Sequence, residues 1–267
     1  MLIHPPAVAG SFYSENPSVL QADIKALLED ATTADTNSTS HIKALIVPHA
    51  GYIYSGPVAA SAYACLRNRV QEIKRVILFG PAHRYPVTQL SSHSADYFST
   101  PLGDIEVDKN LQNILQQKGL IRLLDQAFEG EHSLEVQLPF LQSILPEFSV
   151  LPILTGQNDS DRISEILQLF WHEKDVLFII STDLSHFHEY HLARELDKNT
   201  IDATLHLQYD TLGFDHACGL TGLKGIMKAS KKLGTEITLL DARNSGDTAG
   251  SKNSVVGYAS FLVNEQH

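Results

Sequence analysis

Cysteine is scarce in this sequence: Cys65 and Cys218 are the two in a chain of 267 residues. They stand far apart and form no CxxC pair, which excludes a disulfide framework and a four-cysteine zinc site. Long apolar runs are missing too, since none approaches the ~18 residues of a membrane-spanning helix. The opening residues, Met1-Leu2-Ile3-His4-Pro5-Pro6, lack the charged start and apolar centre of a secretory signal, so a cytoplasmic location with no membrane partner is expected. Basic residues are outnumbered: 20 Lys and Arg against 31 Asp and Glu leave a net charge of −11. Nucleic-acid binding depends on neutralising phosphates with Lys and Arg, and without a basic cluster no nucleic-acid partner is expected. The GxSxG elbow, the GxxxxGK(S/T) phosphate loop and the GxGxxG turn are absent as well, leaving hydride transfer and nucleotide hydrolysis without a supporting motif.

What is present is ordinary globular composition, 43% hydrophobic and 19% charged, which excludes disorder and fibre. Short runs rich in Val, Ile and Leu over residues 44–47, 75–79, 150–154, 176–180, 237–240 and 255–263 read as buried strands. Their near-continuous apolarity predicts a sheet covered on both faces. Asn16-Pro17 predicts a capped helix start, followed by Val19, Leu20, Ile24, Leu27 and Leu28 on one face. Asp108 predicts the cap of a second helix, with Leu111, Ile114 and Leu115 inward and Gly119 as its stop. Further helical patterns cover residues 57–70, 134–145, 160–171, 189–207 and 220–233. The alternation predicts an α/β fold: a single three-layer domain over 1–267, with a largely parallel or mixed central sheet and helices on both faces. Residues 31–40, small and polar, read as a surface loop.

The feature that demands explanation is histidine, with 13 residues. In open α/β sheets, ligands bind beyond the carboxyl ends of the strands. The run 44–47 leads into Pro48-His49, 75–79 into Gly80-Pro81-Ala82-His83, 176–180 into Ser181-Thr182-Asp183-Leu184-Ser185-His186, and 237–240 into a loop ending at Asp247. His132, in Gly130-Glu131-His132-Ser133-Leu134-Glu135, opens a helical pattern instead. Convergence of these segments would gather His49, His83, His132, His186 and Asp247 around one cleft. Two imidazoles and a carboxylate are the donor set of non-haem Fe(II) sites, which leave positions open for substrate and oxygen; the same donors suit zinc. Two of these histidines with an acid such as Asp247 would supply that set, and His186 and His132 are the candidate proton carriers.

Glu135, one turn from His132, is the candidate to orient that ring. Tyr13, Tyr52 and Tyr54 are candidates to line a substrate pocket. Cys218 precedes a helical pattern whose N-terminus would lower its pKa, making it a redox candidate; its other reading is a small buried apolar residue. His191 and His206 read as helix-surface residues, His216 as a loop residue, and His4, His41, His93, His172 and His267 as solvated.

Several segments taken together and in order carry a family resemblance. They are Pro6-Ala7-Val8-Ala9-Gly10-Ser11-Phe12-Tyr13, Val47-Pro48-His49-Ala50-Gly51-Tyr52-Ile53-Tyr54-Ser55-Gly56, Gly80-Pro81-Ala82-His83, Glu131-His132-Ser133-Leu134-Glu135-Val136-Gln137-Leu138-Pro139, Ser181-Thr182-Asp183-Leu184-Ser185-His186-Phe187 and Cys218-Gly219. Across nearly the whole chain the sequence resembles the Memo family, whose bacterial and archaeal members are called AmmeMemoRadiSam system protein B. The resemblance implies an α/β domain similar to the class III extradiol dioxygenases, non-haem iron enzymes that open catechol-type rings. By matching motifs it implies that His49 and His83 are metal ligands and His186 a proton-transferring residue. Animal relatives carry a cysteine in the loop corresponding to Gly246-Asp247-Thr248, where this chain has none, which leaves Asp247 as the nearest third ligand. The implied cofactor is Fe(II), with zinc or copper as other ions for the same donors. The implied function is a metal-dependent oxidoreductase acting on a small aromatic or oxygen-bearing substrate. Because relatives are also discussed as phosphotyrosine-peptide binders and as copper or iron redox proteins, a non-catalytic peptide- or metal-binding module in the same cleft is the alternative, followed by zinc-dependent hydrolysis.

Overall fold

All six apolar runs become strands in the computed structural model, which describes residues 1–31 and 42–265. The chain runs through β1 (Ile3–His4), α1 (Pro17–Asp30), β2 (Ile42–Val47), α2 (Tyr52–Tyr63), β3 (Arg75–Pro81), β4 (Ser91–Ser92), β5 (Tyr97–Thr100) and β6 (Gly103–Val107). It continues through α3 (Lys109–Gln117), β7 (Arg122–Leu123), α4 (Leu138–Ile144), β8 (Ser149–Thr155), α5 (Ser160–Phe170) and β9 (Val176–Ser181). Then come β10 (His186–His188), α6 (Tyr190–Leu205), α7 (Leu220–Leu233), β11 (Ile237–Asn244) and β12 (Val255–Asn264).

The described strands form one mixed sheet in the order β1-β5-β6-β8-β3-β9-β2-β12-β10, with β11 beside β12 and the short β4 and β7 attached at β8. Its centre, β6-β8-β3-β9-β2, is parallel throughout, and β12 closes it antiparallel to β2. The central strands are apolar on both faces because helices cover both. Val76 and Leu78 face a core shared with Leu20 and Ile24 of α1, Tyr63 of α2 and Phe140 of α4. Ile77 and Phe79 face the opposite core with Leu111 of α3, Ile163 of α5, Ile201 of α6 and Leu223 of α7. This is the expected α/β architecture with a largely parallel, mixed sheet.

Several local expectations need correction. Helix α2 begins at Tyr52 rather than near residue 57, because Phe12 O takes the Tyr52 amide and the Tyr54 and Ser55 amides close on Gly51 O; Pro57 thus lies inside the helix. Asp108 does cap α3, its Oδ1 accepting the Leu111 amide at 2.9 Å. Ile114, however, faces solvent, and Gln112 takes the inward place by donating to Ser92 Oγ and His93 O. His4 and His93 are not solvated: their rings lie 4.7 Å apart, against Phe98 and Phe128. Pairing of β1 with β5 carries His4 into that aromatic cluster. The loop expected over 31–40 lies, beyond Ala31, outside the described residues, as do His41 and His267. Among the described residues no helix is long and apolar enough to cross a membrane.

Because β3, β9 and β2 are adjacent and run the same way, their carboxyl ends deliver His83, Asp183 and His49 to one edge of the sheet.

Candidate metal centre

His49 follows β2 and is 2% exposed. Its backbone N–H donates to Asp183 Oδ1 at 2.7 Å, and its ring Nδ1 lies 2.9 Å from Ser181 Oγ. The Ser181 hydroxyl donates to Ser133 O at 2.6 Å, so its oxygen accepts from His49 and from Gln137 Nε2 at 2.8 Å. That chain of bonds places the His49 proton on Nδ1 and leaves the lone pair on Nε2. His83 is oriented by a carboxylate. Its Nδ1 lies 2.9 Å from Glu131 Oε1, and since an ionised carboxylate only accepts, Nε2 again keeps the lone pair. Glu131 also accepts the backbone N–H groups of His83, His132 and Ser133, so one carboxylate fixes the loop after β3 against the segment that carries His132. The His132 ring stacks on His83 with centroids 4.7 Å apart and approaches His49 edge-on at 5.6 Å. One ring nitrogen from each of His49, His83 and His132 lies within 4.8 Å of the others, an arrangement able to hold a metal ion.

Electrostatics keep this donor set available. Burial, followed by repulsion from His83, lowers His49 to about 3, and burial, followed by His49, lowers His132 to about 4. Both rings are neutral near pH 7, as a metal ligand must be. Burial pushes Glu131 up, but the bonds and charge of His83 outweigh it and hold the carboxylate at about 2. A pH dependence follows. Unfolded imidazoles protonate at 6.5, whereas folded His49 and His132 wait until about 3 and about 4, so the unfolded chain binds more protons below 6.5. Metal-free protein therefore holds full stability above that value and loses it as pH falls toward about 3, His49 alone contributing a loss of about 2 kcal/mol by about pH 5. Urea midpoints on both sides of that window measure the slope, and His49→Gln flattens it.

The other candidates separate. His186 borders the centre, with Nδ1 donating to Leu184 O at 2.8 Å. Together with His132, Asp183, Phe12, Tyr54 and Tyr258 it lines a cavity of 460 Å³. Asp247 is not brought to the histidines. Its Oδ2 accepts the Asn244 amide at 3.0 Å in a reciprocal cap of the turn Ser245–Asp247, and its Oδ1 accepts the Tyr190 hydroxyl at 2.6 Å; local backbone bonding holds it in a groove with Arg194 and Arg243. Of the three tyrosines only Tyr54 reaches the cavity. Tyr13 is buried on Glu135, and Tyr52 donates to Val136 O at 2.7 Å. Glu135 does not orient His132. It accepts the amides of Ala7 and Val8 and so straps the N-terminal segment across the site, where Phe12 packs on His132 with ring centroids 4.7 Å apart.

Cys218 precedes α7, yet its thiol is not activated: burial, reinforced by the Asp183 charge, pushes its pKa up. Its sulfur nevertheless lies 3.2 Å from His49 Nε2. Sequence reasoning missed the three residues that build the site from behind: Glu131, Ser181 and Asp183. Each had a readable signal: Glu131 directly precedes His132, Ser181 directly follows the apolar run 176–180, and Asp183 lies between that run and His186.

The family model described as Memo-like protein matches residues 4–262. A MEMO1 family protein of Methanosarcina barkeri is 40% identical, with 97% of this chain and 98% of the relative covered. One from Saccharolobus solfataricus is 34% identical (95% and 96% covered), and one from Aquifex aeolicus is 33% identical (98% and 99% covered). Among solved structures, an uncharacterized protein from Escherichia coli K12 shares the fold at a TM-score of 0.52, with 13% identity, 83% of this chain and 99% of that chain covered. By family model and near-full-length relatives alike, the chain belongs to the Memo-like protein family.

Proposed function

We propose that the protein is a metal-dependent oxidoreductase that holds Fe(II) on His49, His83 and His132 and accepts a small aromatic or oxygen-bearing substrate in the adjoining cavity. The observation that carries this is the convergence of three ring nitrogens within 4.8 Å, two of them with the lone pair set on Nε2 by Ser181 and Glu131. A bound ferrous ion would supply Lewis acidity and a site for dioxygen. The protein's own residues do the rest. Glu131 and Ser181 orient the His83 and His49 rings, burial keeps His49 and His132 neutral, Phe12 and Tyr258 give the cavity apolar walls, and His186, its Nδ1 proton committed to Leu184 O, offers Nε2 as a proton acceptor. Anaerobic loading with Fe(II), followed by oxygen-electrode measurements over a panel of catechols, tests the proposal. Substrate-dependent oxygen uptake is expected, with His186→Gln lowering turnover by about 100-fold while iron stays bound. Iron-loaded protein that consumes no oxygen with any catechol refutes it.

A second assignment draws on the same centre. Three imidazoles without a carboxylate are the donors of hydrolytic and hydrating zinc sites. Ester or amide hydrolysis abolished by chelation and restored by Zn(II) favours that chemistry over oxidation.

A further inference from the structure

We propose that the cavity beside the histidine centre selects its substrate by charge: it takes a phenolic ring whose remaining substituent is neutral or an amine and turns away one that carries a carboxylate or phosphate. The proposal rests on the substrate reading above and narrows it. Its first support is where the cations lie. The cavity of 460 Å³ bordered by His132 and His186 has walls from Phe12, Tyr54 and Tyr258, and neither Lys nor Arg lines it. The same holds for the cavity of 310 Å³ that His186 also borders, where Asp215 adds a carboxyl group, and for the one of 460 Å³ that shares Phe214 with it. Residues 32–41 and 266–267, outside the described ones, contain neither residue type.

Cations are present nearby but sorted elsewhere. Tyr258 also lines a groove of 570 Å³ between α6 and β11, and that groove holds Arg194, Lys198 and Arg243. Each is committed there: Arg243 to Asp241 at 2.9 Å, Lys198 to Asp202, and Arg194 over the Tyr190 ring. Lys252, next to the rim residue Ser251, lies over the same ring with its Nζ 4.5 Å from the centroid. The second support is what the cavity offers instead, which is acceptors. The Ser11 hydroxyl donates to Val8 O at 2.9 Å, leaving its oxygen free to accept. His186 gives its Nδ1 proton to Leu184 O, which leaves Nε2. Asp183, 4% exposed, takes the His49 amide on Oδ1 and keeps Oδ2. A ligand that satisfies these groups brings O–H or N–H donors. With the ring hydroxyls at the metal end of the cleft, the distal substituent meets only the protein's own walls. A carboxylate there loses its water with no cation to replace it, and lies near the carboxyl group of Asp183.

Anaerobic calorimetry on the full-length Fe(II)-loaded protein tests this without reference to turnover. Three probes share one catechol ring and differ in the charge of the substituent: methylcatechol is neutral, dopamine carries an ammonium group and dihydroxyphenylacetate a carboxylate. Methylcatechol and dopamine are expected to bind, and dihydroxyphenylacetate to bind about 10–100-fold more weakly than either. Equal affinities for the three, or tighter binding of the acid, overturn the charge selection and leave the substrate reading standing. Iron-loaded protein that binds none of the three removes both together. A variant tests the cause. Ser254 is exposed on the rim of the cavity, and Ser254→Lys is expected to raise the affinity for dihydroxyphenylacetate about 5-fold while leaving that for methylcatechol unchanged. No gain for the acid in this variant, or the same gain for methylcatechol, overturns the proposal.

Discussion

His83→Ala protein binds no stoichiometric metal under conditions that saturate wild type, and Glu131→Gln binds it about 10–100-fold more weakly. The two changes act on one imidazole by different routes. Alanine removes a nitrogen that converges with those of His49 and His132, and two remaining donors leave the ion without its closing contact. Glutamine keeps the His83 ring but disturbs what aims it. Glu131 Oε1 accepts from His83 Nδ1 and from the amides of His132 and Ser133, while Oε2 accepts the His83 amide. A glutamine carbonyl can replace one oxygen only, so its NH2 group then faces an N–H donor. The buried amide left unpaired costs about 1–3 kcal/mol, and the loss appears in stability as well as in affinity. Calorimetric metal titration and chemical unfolding of both variants check this; wild-type affinity in His83→Ala would remove that residue from the centre.

Gly219→Ala is expected to destabilise the protein by about 3 kcal/mol, which for a chain of this size lowers the melting midpoint by roughly 6–10 °C. A Cβ at this position would stand 2.6 Å from Ser181 O and 2.6 Å from Thr182 Cβ. Neither atom is the end of a flexible chain. Ser181 ends β9, and the Thr182 amide is bonded to Val47 O of the neighbouring strand at 2.8 Å, so relief comes only by moving the strand end. That movement carries Ser181 Oγ away from His49 Nδ1, so metal affinity is expected to fall together with stability. Gly213→Ala is the control: its nearest neighbour is His216 Nδ1 at 3.7 Å, an ordinary contact, and it should leave both quantities near wild type. Equal melting midpoints for wild type and Gly219→Ala would contradict the packing argument.

The legible part of this fold is the part where one residue type carries one consequence. Runs such as Val76 to Phe79 are apolar on both faces, and in a chain of this composition that requires helices on both sides. The helical pattern over 220–233 coincides with α7, which ends where Gly234 takes the left-handed conformation (φ 72°). The short strands β1, β4, β5, β6, β7 and β10 were not legible, since two to five residues carry no periodicity and their pairing is set by distant partners. At the site, histidines after apolar strands pointed to the right edge of the sheet, but the third member of the cluster did not follow from a carboxylate in a C-terminal loop. Asn244 and Asp247 have the spacing of a helix-cap residue and its reciprocal acid, and that local demand uses the carboxylate. Glu131 escaped notice because its decisive partner is distant: besides the neighbouring amides of His132 and Ser133 it holds His83, which it meets only when the loop after β3 reaches the segment that precedes α4.

The strap of residues 7–13 changes what counts as the edge of this molecule. With Ala7 and Val8 bonded to Glu135, Phe12 O bonded to the amide of Tyr52 and the Phe12 ring against His132, the beginning of the chain is a wall of the chemistry rather than a lead-in to it. Shortening the protein from that end would open the cavity to bulk water on the His132 side while leaving every candidate metal donor in the chain.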